Sequence, residues 1–216
     1  LFKPQFLLGI GLLWLLDWHK SWRALMGLGI GCLVQLGLNL WLLPEAIRSY
    51  LTYALKINAN LMSLEGFPMW NAYSVRAFWL ALLPGLKGIA QVLYYGCAFF
   101  GLYFFIRFWK RHANNPTVLY SAAVAWLVWS VPYIMIYDWT LLLIPAILLW
   151  THDQAQRPHW RAIFALLWVV TLLSSALAFL MLRFLPFAIQ ISIPALLIAL
   201  STAYCSLNTP LIASRA

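Results

Sequence analysis

An all-α, polytopic membrane bundle of about seven transmembrane helices with one long extracytoplasmic loop is the fold class that three features of the chain predict. First, 64% of its 216 residues are hydrophobic and only 9% charged, with a mean hydropathy of +0.84, far from the balance of a soluble domain. Second, the apolar residues form long runs, each near the roughly 20 residues a helix needs to cross a bilayer, and do not alternate at period two as barrel strands would. Third, the single long interruption, residues 44–88, carries helical amphipathic patterns of its own. The formal charge of +9 would suggest nucleic acid as the partner of a soluble protein. Here Lys and Arg fall in the breaks between runs, where membrane topology accounts for them, and nucleic acid is set aside.

The elements follow in order. Residues 1–16 form a first span with Pro4 suited to the first helical turn, and 17–23 break the run. A second span covers about 24–43. Its Gly27 and Gly31 make a small-xxx-small pair that admits another helix, and Gln35 and Asn39, four apart on one face, are expected to point into the bundle. In the long loop, Ile47, Tyr50, Leu51, Ala54 and Leu55 repeat at helical spacing opposite Glu45, Arg48, Thr52 and Lys56, predicting a helix on the membrane surface. A second such helix has Val75, Phe78, Trp79 and Leu82 on one face and stops at Pro84-Gly85. The third span, about 88–108, ends in a basic cluster of Arg107, Lys110, Arg111 and His112. Residues 117–150 would measure about 50 Å as one helix, too long for one crossing, so the chain must fold back at 132–138. A fifth span then covers about 139–150, a sixth 162–182 and a seventh 187–207, with a polar break at 151–161 and a tight turn at 183–186.

Sidedness follows from the cations. The breaks at 17–23, 107–116 and 151–161, with the tail carrying Arg215, hold most of the positive charge, and seven alternating spans put them on one face, the cytoplasmic one. The other face receives Lys3, the 44–88 loop, the 133–138 hairpin and Arg183. One transmembrane domain over 1–216 is expected, with an N-terminal part preceding Leu1, because no initiating Met or charged leader is present.

Candidate chemistry is sparse. Of the five acids, Asp17 and Asp153 lie in cytoplasmic breaks, Glu45 opens an amphipathic helix where an acid meets the helix dipole, and Glu65 is in a loop. Asp138 alone sits in an apolar run, where a carboxylate needs a partner or water. A turn-forming Asp at a hairpin tip and a polar group facing a substrate cavity both suit that position. Lys3 is either a snorkelling lysine or a cation fixed beside Pro4 on Asp138's side of the membrane. Arg76 lies in the polar patch Trp70 to Arg76, where a guanidinium suits a phosphate or a lipid headgroup. Cys32, Cys97 and Cys205 stand in apolar runs without CxxC spacing, so buried free thiols are expected and no zinc site is indicated. His19, His112, His152 and His159 lie in cytoplasmic breaks, and metal ligation is not expected there. The tryptophans mostly mark span ends, as interfacial belts do. Together these residues describe a basic, carboxylate-containing cavity on the outer face, suited to an anionic lipid-linked substrate. Its cations would stabilise a departing phosphate, and a carboxylate would take a proton from an acceptor hydroxyl.

Phe2-Lys3-Pro4-Gln5 opening one span, Trp22-Arg23 opening the next, Asn71 to Arg76 in the outer loop, and Ser130-Val131-Pro132 through Tyr137-Asp138 to Leu142 resemble, in order and spacing over most of 1–151, the C-terminal half of glycosyltransferase family 87. The resemblance implies the GT-C multi-span fold and transfer of a sugar, such as mannose, from a polyprenyl-phosphate carrier, as in mannosyltransferases of actinobacterial phosphatidylinositol mannosides and lipomannan. It implies membrane lipids, a lipid-linked sugar donor and a glycolipid or glycan acceptor as partners, and no cofactor beyond the donor. Lys3, Asn71, Ser74, Arg76, Tyr137 and Asp138 would then position donor phosphate, sugar or acceptor, with the catalytic Asp expected upstream of Leu1. A transporter or flippase component for lipid-linked or anionic solutes is the alternative reading, since broken helices and intramembrane polar residues mark such sites too. No inverted repeat relates 1–108 to 109–216.

Overall fold

The computed structural model describes residues 6–60, 67–153 and 159–208. Lys3, Glu65 and Arg215 lie outside the described residues, as do the side chains of His152, Asp153 and His159. Among the described residues the secondary structure is helical apart from one isolated bridge between Ala72 and Met135. The chain divides into two compact units, Leu1–Met69 and Trp70–Ala216, and the division falls inside the 44–88 stretch. Three helices are long and apolar enough to cross a membrane, at Trp18–Leu42, Lys87–His112 and Ala162–Phe184. Four further apolar segments, Leu7–Leu16, Pro116–Ser130, Ile136–Leu149 and Ser192–Leu207, are shorter.

The first unit contains α1 (Leu7–Leu16), α2 (Trp18–Leu42) and α3 (Pro44–Asn60). The expected break at 17–23 shrinks to one residue. Asp17 leaves helical geometry at φ −116°, ψ 46°, yet its carbonyl accepts from Lys20 and Ser21 N–H at 3.1 and 3.0 Å, so α2 restarts at once and takes Trp18 to Arg23 as its first turns. No residue of α2 is buried. Trp18, Trp22 and Trp41 stand exposed at its two ends, the placement of an interfacial belt. In α3, Glu45 accepts from Arg48 at 3.0 Å across one turn, while Tyr50 and Leu51 stay exposed, which leaves an apolar face open as a surface helix requires.

The second unit contains α4 (Val75–Leu82), α5 (Lys87–His112), α6 (Pro116–Ser130), α7 (Leu143–Asp153), α8 (His159–Phe184) and α9 (Ser192–Asn208), with 3-10 turns at Met69–Asn71 and Ile136–Leu142. Capping sets their limits. Ser74 Oγ accepts Ala77 N–H at 3.1 Å to start α4, and Asn115 Oδ1 accepts Val118 N–H at 3.2 Å to start α6, with Pro116 at its first position. Leu83 and Val131 each precede a proline, which disfavours helical backbone, and α4 and α6 end there. The last turn of α5 carries Lys110, Arg111 and His112, where cations oppose the helix dipole. As the length argument requires, the chain folds back between α6 and α7, which pack together; α4 and α6 both pack on α5, and α8 on α9.

Three expectations need correction. The helix at 75–82 is not a surface helix, because Val75, Ala77 and Ala81 are buried and it packs on α5. Burial of Val75, Ala77 and Ala81 shows that the helix is packed inside the unit, and Arg76 ties it to Gln91 of α5 at 3.1 Å. Asn39 donates to Gln35 carbonyl of its own helix at 2.8 Å, with Gln35 exposed. The expected inward-pointing pair is thus satisfied locally. The three free cysteines are not buried: Cys32 and Cys97 are half-buried and Cys205 exposed.

Candidate functional site

The polar residues of the second unit gather where residues 71–74 cross the turn between α6 and α7. Val131 and Pro132 interrupt helical bonding, and the freed carbonyls recruit partners from the crossing segment. Ser74 Oγ donates to Pro132 carbonyl at 2.8 Å, Tyr73 N–H to Ile134 carbonyl at 2.7 Å, and Tyr94 Oη to Ser130 carbonyl at 2.9 Å. Tyr73 is the hub. Its carbonyl accepts Trp139 Nε1–H at 3.1 Å, its ring meets the Trp139 ring edge-on at 5.4 Å, and its hydroxyl donates to Thr171 carbonyl on α8 at 2.6 Å. From the start of the last hairpin, Gln190 Nε2–H donates to Ala72 carbonyl at 2.6 Å and Ala188 N–H to Ala81 carbonyl at 2.9 Å. A crossing of extended backbone buried among helices needs such partners for each amide. Burial pushes the Tyr73 phenol above its ordinary range, more strongly than hydrogen bonds from Ser175 and Ser174 pull it down.

Five of the six sequence-predicted site residues are described, and the junction gathers three of them. Asn71 and Ser74 lie on the crossing segment. Asp138 is 6% exposed and opens the 3-10 turn at 136–142, with Oδ2 accepting Met135 N–H at 2.9 Å while Asp138 N–H donates to Met135 carbonyl at 2.9 Å. Of its two readings, the turn-forming one is realised. Arg76, on the first turn of α4, directs Nε–H to Gln91 Oε1 on α5 at 3.1 Å. Tyr137 is exposed. Two polar atoms at this junction, Asn71 Oδ1 and Ser130 Oγ, are buried without a hydrogen-bond partner, a rare condition with a cost.

A cavity of about 810 Å³ lies between α4–α7 on one side and α8–α9 on the other. Its wall is hydrocarbon and aromatic, including Phe78, Phe105, Trp126, Leu142, Leu167 and Leu196. Among the described residues, none of the predicted site residues lines it, and neither does any Asp, Glu, Lys or Arg. The expected basic, carboxylate-containing hollow is therefore two things: a polar junction and, next to it, an apolar cavity that begins at Val75. Its size is in the range of small-molecule pockets.

Sequence reasoning missed Tyr73, Trp139, Gln190 and Gln91. Trp139 stands at the start of the expected fifth span, but it is 1% exposed; the signal for burial is its place beside the proline-broken turn, where freed carbonyls need donors. Gln190 followed Pro186 in an otherwise apolar run, a polar residue in lipid surroundings that needs an internal partner. Among the described residues no group of three or more His, Cys, Asp or Glu could hold a metal ion. No protein-family model, curated protein or solved structure matches the chain.

Proposed function

We propose that the protein is a multi-pass cell-membrane glycosyltransferase of the GT-C type, with about seven crossings, that moves a sugar such as mannose from a polyprenyl-phosphate carrier to an acceptor hydroxyl on the extracytoplasmic side. The observation that supports this reading is the pair of buried, partnerless oxygens, Asn71 Oδ1 and Ser130 Oγ, in the two segments that carry the resemblance to glycosyltransferase family 87. Both oxygens accept hydrogen bonds and neither has a donor, which is what sugar hydroxyls supply. Arg76 starts α4 two residues after Ser74 and presents a cation to the phosphate.

In the transfer, the acceptor oxygen forms a bond to the anomeric carbon as the bond from that carbon to the phosphate oxygen breaks, with inversion. The electron pair leaves with the polyprenyl phosphate, where a guanidinium stabilises the developing charge. The hydroxyl proton goes to a carboxylate base. Asp138 Oδ2 is engaged by a backbone amide, so Asp138 is assigned to holding the junction and the base is expected from elsewhere in the protein. The test is transfer of radiolabelled mannose from polyprenyl-phosphate-mannose to endogenous lipid in membranes containing the protein. Arg76→Ala should lower the rate about 10- to 100-fold, the worth of a hydrogen bond involving a charged group, and Asn71→Ala about 2- to 10-fold, that of a neutral one, both with normal membrane insertion. Undiminished transfer in both variants would overturn the reading.

A further inference from the structure

The apolar cavity ends at the basic end of α5, and this juxtaposition assigns an occupant. Phe104, Phe105 and Phe108 line it. Its far end is the cluster of Phe108, Val118 and Leu149 packed by Tyr204 and Leu207. His112 packs against Phe108 with ring centres 4.3 Å apart and ring planes inclined at 35°. Interleaved with these rings are Arg107, Lys110 and Arg111, all exposed, with Arg107 reaching back to Tyr103 Oη at 3.4 Å. Along α5 the wall runs from Cys97 to Phe108, about 16 Å at 1.5 Å per residue. That is close to one leaflet's half of a hydrocarbon core roughly 30 Å thick. The side of the cavity is open: Phe100, Phe104 and Leu197, all on its wall, are exposed, so a chain could enter from the bilayer.

We propose that this cavity seats one acyl chain of an anionic glycerophospholipid, with its phosphate held over Arg107, Lys110 and Arg111. Among the described residues the wall holds no Asp, Glu, Lys or Arg, so the chain must be hydrocarbon; the end of α5 next to it carries three exposed cations, so the headgroup must be anionic. Basic pockets between membrane helices on the cytoplasmic side hold anionic headgroups in this way, and the length suits a single-leaflet chain better than a long isoprenoid. The site is separate from the polar junction and stands whether or not the protein transfers sugars.

The test begins with the full protein reconstituted in vesicles of one part phosphatidylglycerol to three parts phosphatidylcholine, then extracted in mild detergent. Native mass spectrometry should show retained phospholipid, with phosphatidylglycerol enriched over its share of the vesicle. Arg107→Gln, Lys110→Gln and Arg111→Gln together should abolish that enrichment, a change of roughly tenfold or more. Ala122→Phe and Ala199→Phe, each placing a ring on the cavity wall, should cut total retained phospholipid several-fold while leaving the thermal unfolding transition in place. Should either fail to fold, the charge variant, which alters only exposed side chains, still decides. Retention of the two lipids in their vesicle proportion by the unaltered protein would overturn the proposal. So would full retention in folded cavity variants, or recovery of a polyprenyl lipid in place of phospholipid.

Discussion

At Asp138 the sequence left two roles open, and two substitutions separate them. The carboxylate accepts Met135 N–H at 2.9 Å in a buried turn. Asp138→Ala strands that amide and should cost about 1–3 kcal/mol, seen as a lower unfolding temperature of the purified protein in detergent. Asp138→Asn keeps an acceptor and should unfold close to wild type. If the Asn variant also retains sugar transfer, the residue works only as a turn former. A fully stable Ala variant would contradict the hydrogen bond's structural role. Tyr73 offers a readout in pH. Burial raises its phenol above the ordinary value of 10.0, so above that value the unfolded chain loses a proton that the folded one keeps. Stability is then fully present below pH 10 and falls as pH rises toward the folded value. Tyr73→Phe should lessen the alkaline slope of melting curves between pH 9 and 11 while weakening the tie to Thr171; an unchanged slope would refute the assignment.

Between elements, the contact of α5 with α6 turns on one glycine. A Cβ at Gly101 would lie 2.7 Å from Trp129 Cδ1 and 3.0 Å from its Nε1, and that nitrogen donates to Cys97 carbonyl at 3.0 Å. Gly101→Ala must push the indole off its partner and should destabilise by about 1–3 kcal/mol, as overpacking does. Gly96, on the same helix, has nothing within 4 Å of its would-be Cβ, so Gly96→Ala should be neutral or slightly stabilising through helix propensity. Equal melting temperatures for the two variants would show that the helices pack otherwise. The contrast also marks what the sequence disclosed. Hydropathy runs place α5 and α8 well, and the length limit on one crossing places the fold-back at 132–138, because both depend on composition over a window. Helix-packing faces depend on which small residue meets which ring. The pattern offered Gly27 and Gly31, whose would-be Cβ atoms meet nothing, and passed over Gly101. For the same reason α4 reads as a surface helix: its large side chains repeat at helical spacing, but its small residues Ala77 and Ala81 are buried. The site residues on 71–76 were legible as a polar patch in an apolar chain, whereas Gln91 and Gln190 are joined to it only by the tertiary path.

Across the whole molecule, the reading with most at stake is that α5 crosses the membrane, since the polar junction lies toward its start and the cations Arg107, Lys110 and Arg111 stand at its end. Its 26 residues span about 39 Å, enough for the hydrocarbon core and part of the headgroup region. The only charge in its first half is Lys87, while Arg107, Lys110 and Arg111 crowd its end, so the positive-inside rule orients it with His112 in the cytoplasm. Gly85 precedes α5 and is exposed, and Lys110 is exposed near its end. Gly85→Cys should therefore react with a membrane-impermeant maleimide in intact cells, and Lys110→Cys only after permeabilisation, each in a background lacking the three native cysteines. With both thiols labelled from one side, α5 would not cross; the junction around Tyr73 and the cations of Arg107 to Arg111 would share a face, and an anionic lipid of the inner leaflet could not be the cavity's occupant while sugars were transferred outside. Opposite-side labelling separates the two sites by the thickness of the bilayer, so that a lipid seated at one end of α5 can influence chemistry at the other only through the helices between them.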